Sequence, residues 1–463
     1  MADDPRIPND DGENSNEHDL LASAWPMPVE PINLLAFWPR PQPPTVGEIQ
    51  SGMSRTLGAD AKLTFTPRKN PDAPIRWSVI AESAALPGKA VVWCEPCRPM
   101  SAQDADALNI HGCRWLVGLE ALLDRDDPHT HFLRLLGMLG RGIPNVPAIM
   151  NVNVGGMCYR QPELGSVILD PEIEPTADVL WVIHVLMQHT PPQPDDRGWL
   201  FTHGLWSCGM PELELMGVPG DLVHQAHQLL GDAAHLLLER GLPEPGEPWE
   251  IGPGLVVTLR PWLEVIDGLP NETYGSPATR NEVGEYAERG PRAVISAFDP
   301  SLPFATGGCP VELLQQLKSG KAMIFRTARW TDRQTRLAQR TWPALASAFA
   351  RTANLKPAVS GISHTFGFLI KAGFIRTDAP MSDPNPDREH LWFEPLAFNG
   401  DRVQARLVHD PMTVTTIRAN DVRWLDRGMI SDWQVATPAG TFGPGMAEAL
   451  LMAAEAAVAE SVP

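Results

Sequence analysis

His390-Leu391-Trp392-Phe393-Glu394-Pro395-Leu396-Ala397-Phe398-Asn399-Gly400-Asp401-Arg402-Val403-Gln404-Ala405-Arg406-Leu407-Val408 is two runs of strand-forming residues with Asn399-Gly400 between them. Alternating apolar residues around Asn-Gly predict a tight β-hairpin, with strands over 390–398 and 402–408. Working outward, strands over 365–372, 421–425 and 433–436 extend the hairpin into a meander. An Ala-rich helix, Met446 to Glu460, docks back by its Leu and Met positions. Upstream, Thr331 and Gln334 have capping-box spacing, and Leu337, Leu345 and Phe349 share one face of a long helix that Pro343 should kink. A strand over 293–298, a helix over 310–317 and a strand over 322–326 precede it.

Residues 266–292 are rich in Gly, Pro, Asn and Glu and lack periodicity, which is linker composition. Between 31 and 265, strand-like runs at 32–38, 76–81, 90–93, 114–119, 148–154, 179–186, 198–206 and 255–259 alternate with helix-like segments. The last of these segments, 221–239, stops before Gly241 and Pro243. Residues 1–30 are acidic and Pro-punctuated, a composition that disfavours a packed core. The expected class is α+β, with an N-terminal mixed or antiparallel sheet domain with helices (31–265), then a smaller β-rich meander or barrel-like domain with a packed helix (293–445) and a terminal helix (446–463).

With 463 residues the chain is long enough for sizeable cores. Its net charge of −19 argues against general nucleic-acid binding and against adhesion to anionic membranes. The first twenty residues hold seven acids and no apolar signal core, and no apolar run approaches the roughly 20 residues that cross a bilayer. A cytoplasmic protein with six reduced cysteines is expected.

The C-terminal meander resembles the bacterial family known as domain of unknown function 2314 over about 331–444. The likeness rests on Ala338 to Phe349, Lys371-Ala372-Gly373-Phe374, Glu389-His390-Leu391-Trp392, His409-Asp410-Pro411, Asn420-Asp421 and Ile430-Ser431-Asp432-Trp433. The resemblance implies a compact β-rich fold with a packed helix and no particular activity. Trp199 to Trp206 and Gly209-Met210-Pro211-Glu212-Leu213-Glu214 make the N-terminal half similar, more weakly, to domain of unknown function 4026. The second element also resembles proteins proposed as immunity partners in bacterial toxin systems.

Four constellations invite chemistry. Trp93-Cys94-Glu95-Pro96-Cys97 resembles the thioredoxin motif, although Glu95 would raise a neighbouring thiol pKa. Cys94, Cys97, His111 and Cys113 together offer zinc-type ligands. His203, Glu212 and Glu214 would serve a metal-assisted hydrolase, against the plainer reading of a structural turn whose carboxylates cap backbone amides. Between Lys318 and Lys356, nine Lys or Arg face Asp332 alone, and Arg329, Arg333, Arg336 and Arg340 form one helical stripe. The stripe fits an acidic partner or a phosphate, against the plainer reading of a face turned toward the acidic remainder of the chain. No phosphate-binding Gly loop, nucleophile elbow or His-Glu-x-x-His helix occurs. The sequence therefore points to a non-catalytic, immunity-like accessory protein without cofactor or metal. It would bind an unidentified protein through the four arginines and an edge at His203, Trp206, Glu212 and Glu214.

Overall fold

The computed structural model describes residues 25, 30–58, 60–66, 74–84, 86, 88–266, 269, 271, 273–283, 291–298, 309–352, 366–379, 388–437 and 440–461. Residues 1–24 and 26–29 of the expected acidic tail lie outside the described residues. Trp25 is buried, and its indole N–H donates to the Pro243 carbonyl at 3.0 Å. By its contacts the chain divides into two units, Met1–Thr327 and Ala328–Pro463.

Among the described residues the first unit holds two sheets. In the first sheet, β1 (Ile32–Trp38) lies centrally among β2 (Lys62–Phe65), β3 (Trp77–Glu82), β4 (Ala90–Pro96), β5 (Trp115–Ala121), β6 (Ala148–Asn151) and β7 (Met157–Arg160). The order is β2-β3-β4-β5-β1-β6-β7, and every pairing is antiparallel. Helices α1 (Val46–Leu57), α2 (Ala102–Leu108) and α3 (Pro128–Gly142) belong with it. Thr45 caps α1 in a full capping box with Glu48, which satisfies amides that a helix start leaves open.

The second sheet contains β8 (Val182–Leu186), β9 (Arg197–His203), β10 (Glu212–Pro219), β11 (Trp249–Gly252), β12 (Leu255–Pro261) and β13 (Arg292–Ala297) in the order β11-β12-β13-β10-β9-β8. Only β10 and β13 run parallel. One face carries Leu200, Leu213 and Leu215 into the main core with Leu229, Leu230 and Leu237 of α4 (Val223–Arg240). The other face carries Trp199, Phe201, Met216 and Val294 against α5 (Trp262–Ile266), through Trp262 and Val265. Also in this unit are α6 (Pro277–Val283) and α7 (Val311–Lys318).

The stretch expected as a linker thus contains α6, and β13, which directly follows it, is hydrogen-bonded into the second sheet. Residues 322–326, expected as a strand, join no sheet. Of this unit's strands, β2, β7, β10 and β11 were not foreseen.

The second unit is the meander with its helices: α8 (Ala328–Arg340), α9 (Trp342–Thr352), β14 (Gly367–Ile375), β15 (Arg388–Asn399), β16 (Arg402–Leu407), β17 (Val422–Asp426), β18 (Ile430–Thr437), β19 (Gly440–Phe442) and α10 (Ala447–Ser461). The order β17-β16-β15-β14-β18-β19 leaves β17 and β19 as edges, so the sheet is open rather than barrel-like. Asn399 pairs with Arg402, which moves the two turn residues to Gly400 and Asp401, one place on from the expected Asn-Gly. α8 starts at Ala328, which puts Thr331 and Gln334 inside the helix instead of at its cap. The expected kink at Pro343 is a break, because proline fits the first turn of a new helix and α9 begins at Trp342. The meander's apolar face packs Phe368, Ile370, Phe393 and Trp433 with Trp342 and Leu345 of α9 and Leu450 of α10.

Candidate functional site

Alternation along β9 sends Trp199, Phe201 and His203 to one face and Leu200 and Thr202 to the other. β10 lies antiparallel beside it, with Glu214 opposite Phe201 and Met216 opposite Trp199. Leu213 and Leu215 therefore join the core under α4, while Glu214 joins the aromatic face. In a sheet with water on one side, such glutamates would be solvated. Here both faces are covered, and Glu212 and Glu214 are 1% and 0% exposed.

Two guanidiniums meet Glu214. Arg280 of α6 engages it with both terminal nitrogens, Nη1 donating to Oε1 at 2.9 Å and Nη2 to Oε2. Arg292 Nη1 donates to Oε1 at 2.7 Å. Arg280 is held in turn by the Gly275 carbonyl at 2.7 Å and lies between the rings of Trp199 and Trp262, at 4.5 and 4.6 Å. Burial raises the Glu214 pKa, but the hydrogen bonds and charges of Arg280 and Arg292 outweigh it and hold the carboxyl below its ordinary value.

Glu212 serves the connection between the strands. Its Oε1 accepts from the backbone amides of Gly204 (2.6 Å) and Trp206 (3.4 Å), and its Oε2 accepts from the Thr202 hydroxyl at 2.7 Å. Gly204 sits at φ 129°, where a side chain is strained, and a Cβ there would lie 2.2 Å from Val154 Cγ1. Burial pushes the Glu212 pKa up, against the Arg292 charge and the three hydrogen bonds. His184 stacks on Phe201 at 4.9 Å and lies 5.6 Å from His203, and burial lowers its pKa first, then the neighbouring His203.

These positions correct part of the sequence-based expectation. His203, Trp206, Glu212 and Glu214 are all at most 2% exposed, so they line the interior and form no binding edge. Nor do the two carboxylates converge with His203 as metal ligands. Their oxygens are taken by amides, a hydroxyl and guanidiniums, and among the described residues no group of three His, Cys, Asp or Glu stands ready for a metal. Glu212 is the amide-capping carboxylate of the plainer reading, whereas Glu214 is the centre of an ionic triad.

Cys94 lies within β4 and Cys97 just past it. Three residues of extended chain separate their Cα atoms by about 10 Å, beyond disulfide reach. Burial also pushes Cys94 up to about 12, the reverse of an activated thiol. The arginine stripe lies on α8 as expected: Arg329, Arg336 and Arg340 are exposed, Arg333 is half-buried, and Leu337 and Ala338 are buried.

Sequence reasoning missed Arg280 and Arg292. Arg280 gives no local signal, since it stands in linker-like composition 66 residues from its partner. Arg292 does give one, a charge directly abutting the apolar run Ala293-Val294-Ile295. In the second unit, His390 Nδ1 and Ser431 Oγ are 2.7 Å apart, joining two of the quoted motifs across the meander.

Residues 183–295 match a family described as a protein of unknown function (DUF4026), C-terminal part. This segment runs from β8 into β13 and contains the whole Glu214 triad. Residues 338–451 match a family described as an uncharacterized protein conserved in bacteria (DUF2314), which spans the meander and its apolar core. Of the stripe, only Arg340 falls inside that segment. No curated protein matches the chain. Among the described residues no helix is long and apolar enough to cross a membrane.

Proposed function

We propose that this chain works by binding another protein, as an immunity-like accessory with no chemistry of its own, and that α8 presents the contact surface. One observation carries the reading: Arg329, Arg336 and Arg340 are exposed along one side of a 13-residue helix in which Asp332 is the lone acid. Guanidiniums in such a row suit carboxylates, which they bind through paired hydrogen bonds, so the partner expected is an acidic protein surface. The engagement of Glu212 and Glu214 inside the fold is consistent with this reading, because it leaves neither as a free acid, base or metal ligand. A contact of this type speeds association electrostatically and weakens with salt.

The test is crosslinking capture from native lysate, comparing the parent with a folded variant carrying Arg329→Ala, Arg333→Ala, Arg336→Ala and Arg340→Ala. The reading predicts a partner held by the parent at low salt and lost both in the variant and at high salt. Equal capture by parent and variant would remove α8 as the surface.

A further inference from the structure

Three of the segments quoted from the meander bring polar side chains to its open face. On β15 that face carries Arg388, His390 and Trp392 in alternation, and on β14 it carries Lys371 and Gly373. His390 is paired with Gly373, and Trp392 with Lys371. A Cβ on Gly373 would lie 3.2 Å from His390 Cε1 and 3.3 Å from Arg388 Cδ. Because glycine stands there, both side chains lie down across β14, and His390 reaches β18.

β18 meets it with an extra residue. Its pairing with β14 steps from Asp432 opposite Lys371 to Ile430 opposite Ala372, which leaves Ser431 as a bulge. The bulge lets Ile430 and Trp433, three places apart, both enter the core, and it brings Ser431 Oγ to 2.7 Å from His390 Nδ1. The Ser431 hydroxyl donates to the Lys371 carbonyl at 3.3 Å, so it accepts from Nδ1–H and the imidazole lone pair falls on Nε2. Burial lowers the His390 pKa most, followed by the charges of Lys371 and Arg388. Arg388 Nη1 makes a long contact of 3.4 Å with the Gly373 carbonyl, and Lys371 Nζ lies 5.4 Å from the centre of the Trp392 ring. The acid opposite Lys371, Asp432, accepts through Oδ1 from Gln334 of α8 at 3.0 Å and from the Trp433 amide at 2.8 Å. Glu389 alternates to the other face, where it holds the amides of Met412, Thr413 and Val414.

We propose that Lys371, Arg388 and His390 form a phosphate site on the open face of the meander, with Ser431 positioning the imidazole. Donors on three side chains suit the several oxygens of a phosphate group, whereas a carboxylate offers two, and a guanidinium with an ammonium supplies the charge that a dianion needs. A bound phosphate offsets the two cations beside His390, so the ring takes up a proton and Nε2 becomes the third donor.

The test follows the ring resonance of His390 in the full chain, identified by its loss in His390→Gln, against pH with and without inorganic phosphate at constant ionic strength. Phosphate should move the His390 titration upward in pH, saturably. Arg388→Gln should weaken phosphate binding about tenfold, the loss of a charge-assisted hydrogen bond. Ser431→Ala, which releases the ring, should weaken it about threefold. O-phosphoserine binding more tightly than phosphate would assign the site to phosphate carried on a larger molecule, and phosphate binding alone would assign it to the free ion. Absence of a saturable response, an equal response to acetate, or undiminished binding in Arg388→Gln would overturn the site. Arg388 is exposed, so its variant decides the matter even if Ser431→Ala does not fold.

Discussion

Glu214 on β10 and Glu394 on β15 both alternate with apolar residues, and both meet arginines, yet their surroundings differ. Glu214 has no exposed surface and is shared by Arg280 and Arg292. Glu394 is 54% exposed and meets Arg406 at 3.4 Å. α5 and α6 flank the charged face of the second sheet, whereas on the meander the corresponding face carries exposed Arg406, Trp424 and Gln434. A buried carboxylate between guanidiniums is costly to break from either side, because the partner left behind stays uncompensated away from water. An exposed pair is largely replaced by solvent. The same alternating pattern thus carries very different energetic weight, and the second face of the sheet decides which.

The largest effect follows from breaking the buried side. Glu214→Gln should destabilise the first unit by about 3–5 kcal/mol, measured by urea unfolding, because two interior guanidiniums lose their counter-charge. Its pH signature has a fixed sign. Glu214 is held below its ordinary pKa, so its contribution is complete above the unfolded-state value and is lost as pH falls through the folded one; the variant should show a flatter acid limb. Glu212, pushed up by burial, acts oppositely and weakens the fold as pH rises through its folded pKa, and Glu212→Gln should remove that slope.

Next in size, Gly204→Ala should cost about 1–3 kcal/mol through strain at positive φ and crowding by Val154, and should loosen the amides that Glu212 accepts. Ser431→Ala removes the His390 contact in the meander and should cost about 1 kcal/mol. Smallest, Arg406→Ala should change stability by less than about 1 kcal/mol, since its partner is exposed.

Much of the architecture was legible because local signals agree with the final packing. Alternation declares β9, and the runs around 390–408 declare the meander. β10 was hidden for a physical reason. Glu-Leu-Glu-Leu directly after Gly209 and Pro211 reads as a polar turn, and only residues far along the chain make it an interior strand. Arg280 was hidden for the same reason, since nothing in its neighbours reports that it is buried between two tryptophans. The stripe was legible from its spacing alone, because helical periodicity needs no distant partner.

The central comparison is tested most directly by two double-mutant cycles in urea, one on Glu214 and Arg280 and one on Glu394 and Arg406, each residue changed to Gln. The account predicts a coupling of about 2–3 kcal/mol for the first pair and below about 1 kcal/mol for the second. Couplings of equal, small size in both cycles would contradict it, and would mean that burial of the Glu214 triad adds nothing to what water allows at the surface.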